Sequence, residues 1–157
     1  MSAAITNCGD FGWVSDSNGY RYTLVNPATR IPWPPMPKAF RQIAVLAAES
    51  AGYTGFAPDV CLINRYLPGT KMGLHQDKDE RDFTQPIVSV SLGISAVFLF
   101  GGLKRNDPCQ RIDLVHNDVL VWGGKVRLCY HGILPVKDSQ HPQLGKHRIN
   151  LTFRKCG

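Results

Sequence analysis

The 157-residue sequence lacks any apolar run long enough to span a bilayer, and it contains no repeat or low-complexity tract. Its first residues, Met1–Ile5, have neither the basic start nor the apolar stretch of a signal peptide. Hydrophobic residues make up 43% of the chain, which is typical of a globular protein rather than a disordered one. We therefore expect a single domain, residues 1–157, with a buried core, no membrane partner and a cytoplasmic location.

Cysteine pairs and an excess of negative charge are also missing. The five cysteines are an odd number, and none forms a Cys-x-x-Cys pair, which argues against a disulfide framework or a zinc knuckle and for a reducing compartment. Cys61 and Cys129 lie in apolar runs, where a buried thiol is expected. A net charge of +6 permits a polyanionic partner such as nucleic acid, although many basic proteins have none.

Residues 1–35 show no helical pattern, because glycines and prolines interrupt them at short intervals. This composition predicts hairpins and turns. Trp13, Tyr20, Tyr22 and Trp33 lie among polar residues here, an arrangement that suits stacking on flat ligands such as bases. The same rings could instead fix the segment to the core. We favour that second interpretation for Trp33 and leave both open for Trp13 and Tyr20.

One helix and a series of strands are predicted for the remainder. Residues 37–51 begin with proline, carry apolar residues at intervals of three and four, and precede Gly52, which predicts a packing helix. Short apolar runs separated by turn signals then predict strands at 60–66, 71–75, 86–92, 95–100, 110–115, 118–122, 127–131 and 148–154. Short strands in succession, without helices between them, predict a β-sandwich or barrel.

A histidine and an aspartate two positions apart follow the first of these strands. On a strand or at its end, His75 and Asp77 would point to the same side. An imidazole and a carboxylate on one side are two ligands of the facial triad that binds non-haem Fe(II). The alternative is a loop histidine beside a solvated charged run, and on these two residues alone we would favour it. A triad also needs a second histidine.

The last predicted strand, 148–154, alternates strictly. Its apolar residues point one way, whereas Arg148, Asn150, Thr152 and Arg154 point the other. Such a polar face could be solvent-exposed, or it could line a barrel and bind carboxylates through its guanidinium groups. Of the remaining histidines, His131 is the best partner for the pair above, because it ends a predicted strand whereas the others lie beside turns or point away.

These motifs, in this order, resemble the AlkB-type Fe(II)/2-oxoglutarate dioxygenases, the alkylation-repair demethylases. The motifs that carry the resemblance are Asn64-Arg65-Tyr66, His75-x-Asp77, His131 and Arg148-x-Asn150-x-x-x-Arg154. The resemblance extends in order along essentially the whole chain. In one respect it is incomplete, since members of the family usually carry a further N-terminal segment before the point where this sequence starts.

The resemblance implies a fold and a metal site. The fold would be mainly β with one or two helices, a double-stranded β-helix (jelly-roll) core over residues 36–157 and a nucleotide-recognition lid over residues 1–35. His75, Asp77 and His131 would be the catalytic ligands of Fe(II). Two groups of residues would bind the co-substrate 2-oxoglutarate: Arg148, Tyr66 and Asn150 at its distal carboxylate, and Arg154 and Asn64 at its iron-chelating end.

The resemblance also implies a reaction and a substrate. With O2 as the oxidant, the enzyme would demethylate bases of the N1-methyladenine and N3-methylcytosine type in alkylated single- or double-stranded DNA, with RNA as a further candidate. It would release formaldehyde, succinate and CO2, acting as a monomer in the bacterial cytoplasm. Since the reacting base atom normally pairs, the base must be flipped or unpaired. The implied substrate-binding residues are Trp13, Tyr20, Tyr22, Asp79 and Arg105.

Two other classes of function remain open at this point. The same core could hydroxylate or demethylate a protein or a small molecule, although the aromatic N-terminal segment and Asp79 argue against this. The chain could also be a non-catalytic nucleic-acid binder with a decayed metal site. A decayed site need not retain His75, Asp77, His131 and both arginines, so we favour the enzyme.

Overall fold

The computed structural model describes all 157 residues, which form eleven strands and one α-helix. The strands are β1 (Ala4–Gly9), β2 (Gly12–Asp16), β3 (Gly19–Thr23), β4 (Val60–Tyr66), β5 (Met72–His75), β6 (Ile87–Gly93), β7 (Ala96–Phe100), β8 (Gln110–Leu114), β9 (Val119–Trp122), β10 (His131–Ile133) and β11 (Arg148–Arg154). The helix α1 is Lys38–Ser50, and a short 3-10 helix spans Gly124–Val126. No helix of the protein has the length and hydropathy needed to cross a membrane.

The strands form two antiparallel sheets that enclose the site. The larger sheet has the order β1-β4-β11-β6-β9, and the smaller has the order β5-β10-β7-β8. Buried residues from both sheets, including Trp122 and Ile87 from the larger and Phe98 and Ile133 from the smaller, form one hydrophobic cluster between them. The predicted jelly-roll core is therefore confirmed.

Strand β11 lies at the centre of the larger sheet and separates two environments. Its apolar residues Leu151 and Phe153 pack with Ala44 and Ala48 of helix α1 on the outer face of the sheet. Its polar residues are buried on the inner face, toward the smaller sheet. The predicted alternation is thus confirmed, and the polar face lines the interior of the sandwich rather than the solvent.

The segment before α1 contains one core strand and one separate hairpin. β1 pairs with β4 at the edge of the larger sheet, while β2 and β3 pair only with each other. Trp33 is buried and donates a hydrogen bond from Nε1 to the carbonyl oxygen of Thr23 at 2.9 Å. Trp33 is thus a buried packing residue, although its hydrogen bond joins it to the hairpin strand β3 rather than to a strand of the core. Cys61 and Cys129 are buried free thiols, as predicted.

The predicted strand at 127–131 is wrong. The chain there leaves the 3-10 helix, and the backbone N–H groups of Arg127 and Cys129 donate to Gly124 and Val126 within the same segment. His131 begins β10 instead of ending a strand. The short apolar run Leu128–Tyr130 resembles a strand in the sequence, but turn hydrogen bonds within the segment shape the chain there.

Candidate active site

A cavity of about 600 Å³ opens between the two sheets and the β2–β3 hairpin. Every side chain that the sequence predicted for the site lies on its wall. These residues are Trp13, Tyr20, Tyr22, Asn64, Tyr66, His75, Asp77, Asp79, Arg105, His131, Arg148, Asn150 and Arg154. Residues far apart in the chain, on both sheets and on the hairpin, therefore converge on one space.

The three predicted metal ligands meet at this cavity. His75 ends β5 and His131 begins the neighbouring strand β10, where the two residues are directly paired. Nε2 of His75 lies 3.7 Å from Oδ1 of Asp77, and Nε2 of His131 lies 3.6 Å from Oδ2. The three ligand atoms lie within 4.8 Å of one another, which brings them close enough to bind a single ion.

Both histidines have the tautomer that metal binding requires. Nδ1 of His75 contacts the carbonyl oxygen of Gly73 at 2.8 Å, and Nδ1 of His131 contacts that of Cys129 at 3.1 Å. A carbonyl oxygen only accepts, so each Nδ1 must carry a proton, and Nε2 is the ring nitrogen that faces the cluster. Burial lowers the pKa of His131 to about 4, so this ring is neutral at pH 7.

Asp77 is kept ionised by an arginine from the other sheet. Burial has the largest single effect and by itself would raise the pKa of Asp77, but Arg154, the two histidines and Arg127 together outweigh it, with Arg154 contributing most, and the pKa falls to about 2. Arg154 donates from Nε and Nη2 to Oδ2 of Asp77 at 3.1 and 2.8 Å. One oxygen of the carboxylate is thereby oriented by Arg154, while Oδ1 is the oxygen nearer His75.

The far end of the cavity holds a buried cation without a carboxylate partner. Arg148 is 1% exposed, and its only side-chain hydrogen bond runs from Nη2 to Oγ of Ser91 at 3.0 Å. Its Nε and Nη1 have no partner, although its guanidinium lies over the Tyr66 ring at 4.9 Å. An unpaired buried charge is costly, so these donors indicate a binding site for an anion such as a carboxylate.

The two predicted asparagines differ in whether their side-chain amide oxygens are already hydrogen-bonded. Oδ1 of Asn64 is buried and has no hydrogen-bond partner, so it is free to bind a ligand. The amide of Asn150 is already engaged, since it donates to Ser89 and Val90 and accepts from Thr152. Asn150 therefore lines the cavity but stabilises the inner face of the sheet in this structure.

The β2–β3 hairpin presents three aromatic residues to the cavity. Trp13 and Tyr22 are directly paired across the hairpin, and Trp13 stacks on Tyr20 with ring centroids 5.6 Å apart and an interplanar angle of 9°. Nε1 of Trp13 donates to Oδ2 of Asp79 at 3.0 Å. The exposed carboxylate of Asp79, two residues beyond the ligand Asp77, thus has one oxygen bonded to the hairpin.

Arg105 lies exposed at the mouth of the cavity. It donates to the carbonyl oxygen of Leu74 at 2.7 Å, and its guanidinium lies over the ring of Tyr130 at 5.0 Å. Leu74 and Tyr130 each precede a candidate metal ligand directly. The residue thus adds a positive charge beside the cavity opening, where a backbone phosphate could reach it.

Two charged residues and one aromatic residue near the site were not predicted from the sequence. Glu80 belongs to a charged run that is otherwise exposed, yet it is buried and paired with buried Arg127. No periodic pattern indicates this pair, because its partner lies on a separate loop. Trp122 is buried in the core, and its ring also lies against that of His131, with centroids 5.2 Å apart, and lines the cavity.

The sequence profile of the 2OG-Fe(II) oxygenase superfamily matches residues 1–154. The chain therefore belongs to this superfamily, whose members use Fe(II), 2-oxoglutarate and O2. The cluster of His75, Asp77 and His131 fits Fe(II), since it offers imidazole and carboxylate ligands. Arg148 fits 2-oxoglutarate, since it offers unpaired donors for a carboxylate.

Similarity to individual proteins indicates which branch of the superfamily the chain belongs to. It is 58% identical over 156 residues to the alpha-ketoglutarate-dependent dioxygenase AlkB of Salmonella typhimurium, a match that covers 99% of this chain and 72% of the relative. It is 57% identical to AlkB of Escherichia coli, over 100% of this chain and 73% of the relative. The solved structure of OsALKBH1 superposes with a TM-score of 0.85 at 31% identity, covering 99% of this chain and 78% of the other.

These similarities identify an AlkB-type dioxygenase within the superfamily. Its reaction is the oxidative dealkylation of nucleic-acid bases, and its substrate is therefore a nucleic acid. The alternative substrates considered from sequence, a protein or a small molecule, are not favoured.

The histidine tautomers can be tested in the metal-free protein. We expect long-range 1H–15N NMR spectra at pH 7 to show protonated Nδ1 and unprotonated Nε2 for His75 and His131, because each Nδ1 donates to a carbonyl oxygen. His116 is the internal control, since its Nδ1 accepts from the backbone N–H of Gly93 and must be unprotonated. An unprotonated Nδ1 in His75 or His131 would contradict the described geometry.

Proposed function

We propose that this chain removes methyl groups from N1 of adenine and N3 of cytosine in DNA, with RNA as a second substrate. The observation that carries this proposal is the pairing of two features in one cavity. A cluster of two histidines and one ionised aspartate lies at one end, and the buried, unpaired Arg148 lies at the other. A dianionic co-substrate extending from a metal ion to Arg148 would satisfy both.

In this proposal His75, Asp77 and His131 bind Fe(II). When bound, iron and 2-oxoglutarate use O2 to form succinate, CO2 and a hydroxylated methyl group, which leaves the base as formaldehyde. The side chains contribute by position and charge. Arg154 holds the Asp77 carboxylate in its charged form, and the two backbone carbonyls at Gly73 and Cys129 orient the histidines.

We assign the co-substrate contacts by the partners that each side chain lacks. Arg148 would bind the distal carboxylate through Nε and Nη1, with the Tyr66 ring packed against its guanidinium. Asn64 would donate from its side-chain amide nitrogen near the metal end, because the oxygens of 2-oxoglutarate only accept. Arg154 already contacts Asp77 and would also approach the iron-chelating end of 2-oxoglutarate. Asn150 would support this surface through its hydrogen bonds within the sheet.

We assign the substrate contacts to the hairpin and the cavity mouth. Residues 1–35 would include the nucleotide-recognition lid and residues 36–157 the helix and the core, with β1 extending the core sheet. Trp13 would stack on a flipped base, because its ring already borders the cavity. Tyr20, Tyr22 and Arg105 would contact the flanking backbone.

Other properties of the protein are proposed on more general grounds. We expect a monomer that accepts single- and double-stranded DNA, since a flipped base can be drawn from either. We also expect a bacterial cytoplasmic location, which agrees with five free cysteines and with the bacterial relatives.

The direct test of the proposed function is mass spectrometry of an oligonucleotide carrying N1-methyladenine after incubation with Fe(II), ascorbate and 2-oxoglutarate. We expect conversion to adenine and release of formaldehyde by the wild type. His131→Ala should abolish conversion, because it removes one metal ligand, whereas His116→Ala should retain it. Near-normal formaldehyde release by His131→Ala would mean that the wrong second histidine is assigned.

The co-substrate site can be tested by Arg148→Lys. This change retains the positive charge but loses the planar group that can bind a carboxylate through two donors, so the apparent KM for 2-oxoglutarate should rise about tenfold or more. Arg111→Lys, on the exposed part of β8, is the matched control and should leave that KM unchanged. A normal KM for 2-oxoglutarate in Arg148→Lys would refute this assignment.

The preference among lesions should depend on Asp79. N1-methyladenine and N3-methylcytosine are cationic and donate from an exocyclic amine, whereas the comparable lesions of guanine and thymine are neutral and present a carbonyl. A hydrogen bond to a charged group contributes roughly 1.5–3 kcal/mol, about one to two decades in relative rate. Asp79→Asn keeps an acceptor for Trp13 but loses the charge, so repair of the cationic lesions should slow selectively.

Asp79→Ala is the companion variant, because it also removes the acceptor for Nε1 of Trp13. We expect it to slow repair of both kinds of lesion, with the larger loss on the cationic ones. Competition assays with paired oligonucleotides measure the ratio directly. An unchanged ratio in Asp79→Asn would show that the carboxylate does not select the base.

A further inference from the structure

The buried ion pair between Glu80 and Arg127 has no role in the site described so far. The side chains of Glu80 and Arg127 are 1% and 2% exposed. Burying two charges carries a large desolvation cost, and replacing such a pair with well-packed apolar residues is often neutral or stabilising. Stability alone therefore does not explain why this pair lies inside the protein, and its other contacts are informative.

Arg127 directs all its side-chain donors at the loop that carries Asp77. Its Nη1 donates to the backbone carbonyl oxygen of Asp77 at 2.8 Å, its Nε donates to that of Gln85 at 2.9 Å, and its Nη2 pairs with Oε1 of Glu80. One guanidinium thus fixes both ends of this loop. The planar shape of arginine, with donors in a fixed arrangement, is suited to this.

Arg127 also lies four residues before His131 on the segment that leads into β10. The neighbouring residue Leu128 accepts a hydrogen bond at 2.9 Å from the side chain of Gln76, which lies between His75 and Asp77 in the chain. The two segments that carry the metal ligands are therefore joined directly by Arg127 and Gln76.

The contacts of Glu80 close a ring that begins and ends at Asp77. Oε2 of Glu80 accepts from the hydroxyl of Tyr22 at 2.9 Å, and that hydroxyl accepts from Nη1 of Arg154 at 3.2 Å. Arg154 in turn donates to the carboxylate of Asp77, and Arg127 donates to its carbonyl. The ring contains two cations and two anions, so its charges balance within the protein.

We propose that Arg127, oriented by Glu80, is a positioning residue for the metal site, which holds Asp77 against the segment that carries His131. This inference rests on the proposed role of Asp77 as a metal ligand. Arg127 does not itself line the cavity, and it bonds to the backbone carbonyl of Asp77 rather than to the carboxylate. Its effect is on the geometry of the loop, so its loss should weaken metal binding even where the fold is intact.

Stability and metal binding can be separated by comparing single and double variants. Arg127→Met leaves Glu80 buried without its partner and should lower both the unfolding midpoint and the affinity for Mn(II). In Glu80→Leu/Arg127→Met both charges are gone, so the midpoint should return toward that of the wild type. The Asp77 carbonyl still lacks its donor, and Mn(II) affinity should stay about tenfold or more below the wild type.

The measurements are isothermal titration of the metal-free protein with Mn(II) and urea unfolding of the same samples. Arg41→Met is the matched control, since Arg41 also donates to a backbone carbonyl, that of Pro58 at 2.9 Å, but lies outside the cavity. It should leave Mn(II) affinity unchanged. Arg127→Lys keeps a charge beside Glu80, but its single nitrogen cannot reach all three acceptors at once. It should therefore fold and still bind Mn(II) more weakly, which provides a test if the other variants unfold.

The outcomes distinguish this inference from the proposed function. Wild-type Mn(II) affinity in the double variant, or in Arg127→Lys, would overturn the positioning role and leave the pair as a packing feature. Asp77→Ala is the reference in the same titration. If Asp77→Ala bound Mn(II) like the wild type, the ligand assignment itself would be wrong, whereas a loss there beside normal binding by the Arg127 variants would refute this inference alone.

Discussion

The ion pair between Asp77 and Arg154 is the contact on which the arrangement of the site depends. Arg154 ends the central strand of the larger sheet, and Asp77 follows β5 at the edge of the smaller sheet. Their side chains are 7% and 5% exposed, so the loss of either would leave a buried charge without its partner. The pair therefore joins the two sheets where both histidines converge, and it determines which carboxylate oxygen remains available to a metal ion.

Around the cavity, the buried arginines outnumber the buried carboxylates by one. Asp77 and Glu80 are matched by Arg154 and Arg127, but Arg148 has only a hydroxyl and an aromatic ring as partners. Such an arrangement is unfavourable in isolation, and it becomes favourable when an anion binds. The inner face of β11 thus contains Arg154, which is paired with Asp77 beside the two histidines, and Arg148, which has no carboxylate partner, at the far end of the cavity. An anion is therefore expected to bind at the Arg148 end.

Most of the fold and site could be predicted because the relevant signals are local or ordered along the chain. The alternation in 148–154 predicted which side chains of β11 face inward. The order of the motifs predicted that His131 lies beside His75 and Asp77, and the three residues do lie together. The Glu80–Arg127 pair could not be predicted, since 47 positions separate the two residues and each lies in an unremarkable local sequence. The error at 127–131 has a different cause, since the short apolar run Leu128–Tyr130 resembles a strand and does not indicate the turn hydrogen bonds that form there.

The hairpin is held to the core at its base rather than at its turn. Trp13 and Tyr22, which are paired across the hairpin, bond to Asp79, Glu80 and Arg154. The residues near the turn, by contrast, bond among themselves, as Arg21 and Asn18 do with Asp16. Because Asp79 and Glu80 follow Asp77 within three positions, a movement of the hairpin base has to alter contacts of the loop that carries Asp77. The turn can move without breaking them, so the two ends of the hairpin differ in their coupling to the metal site.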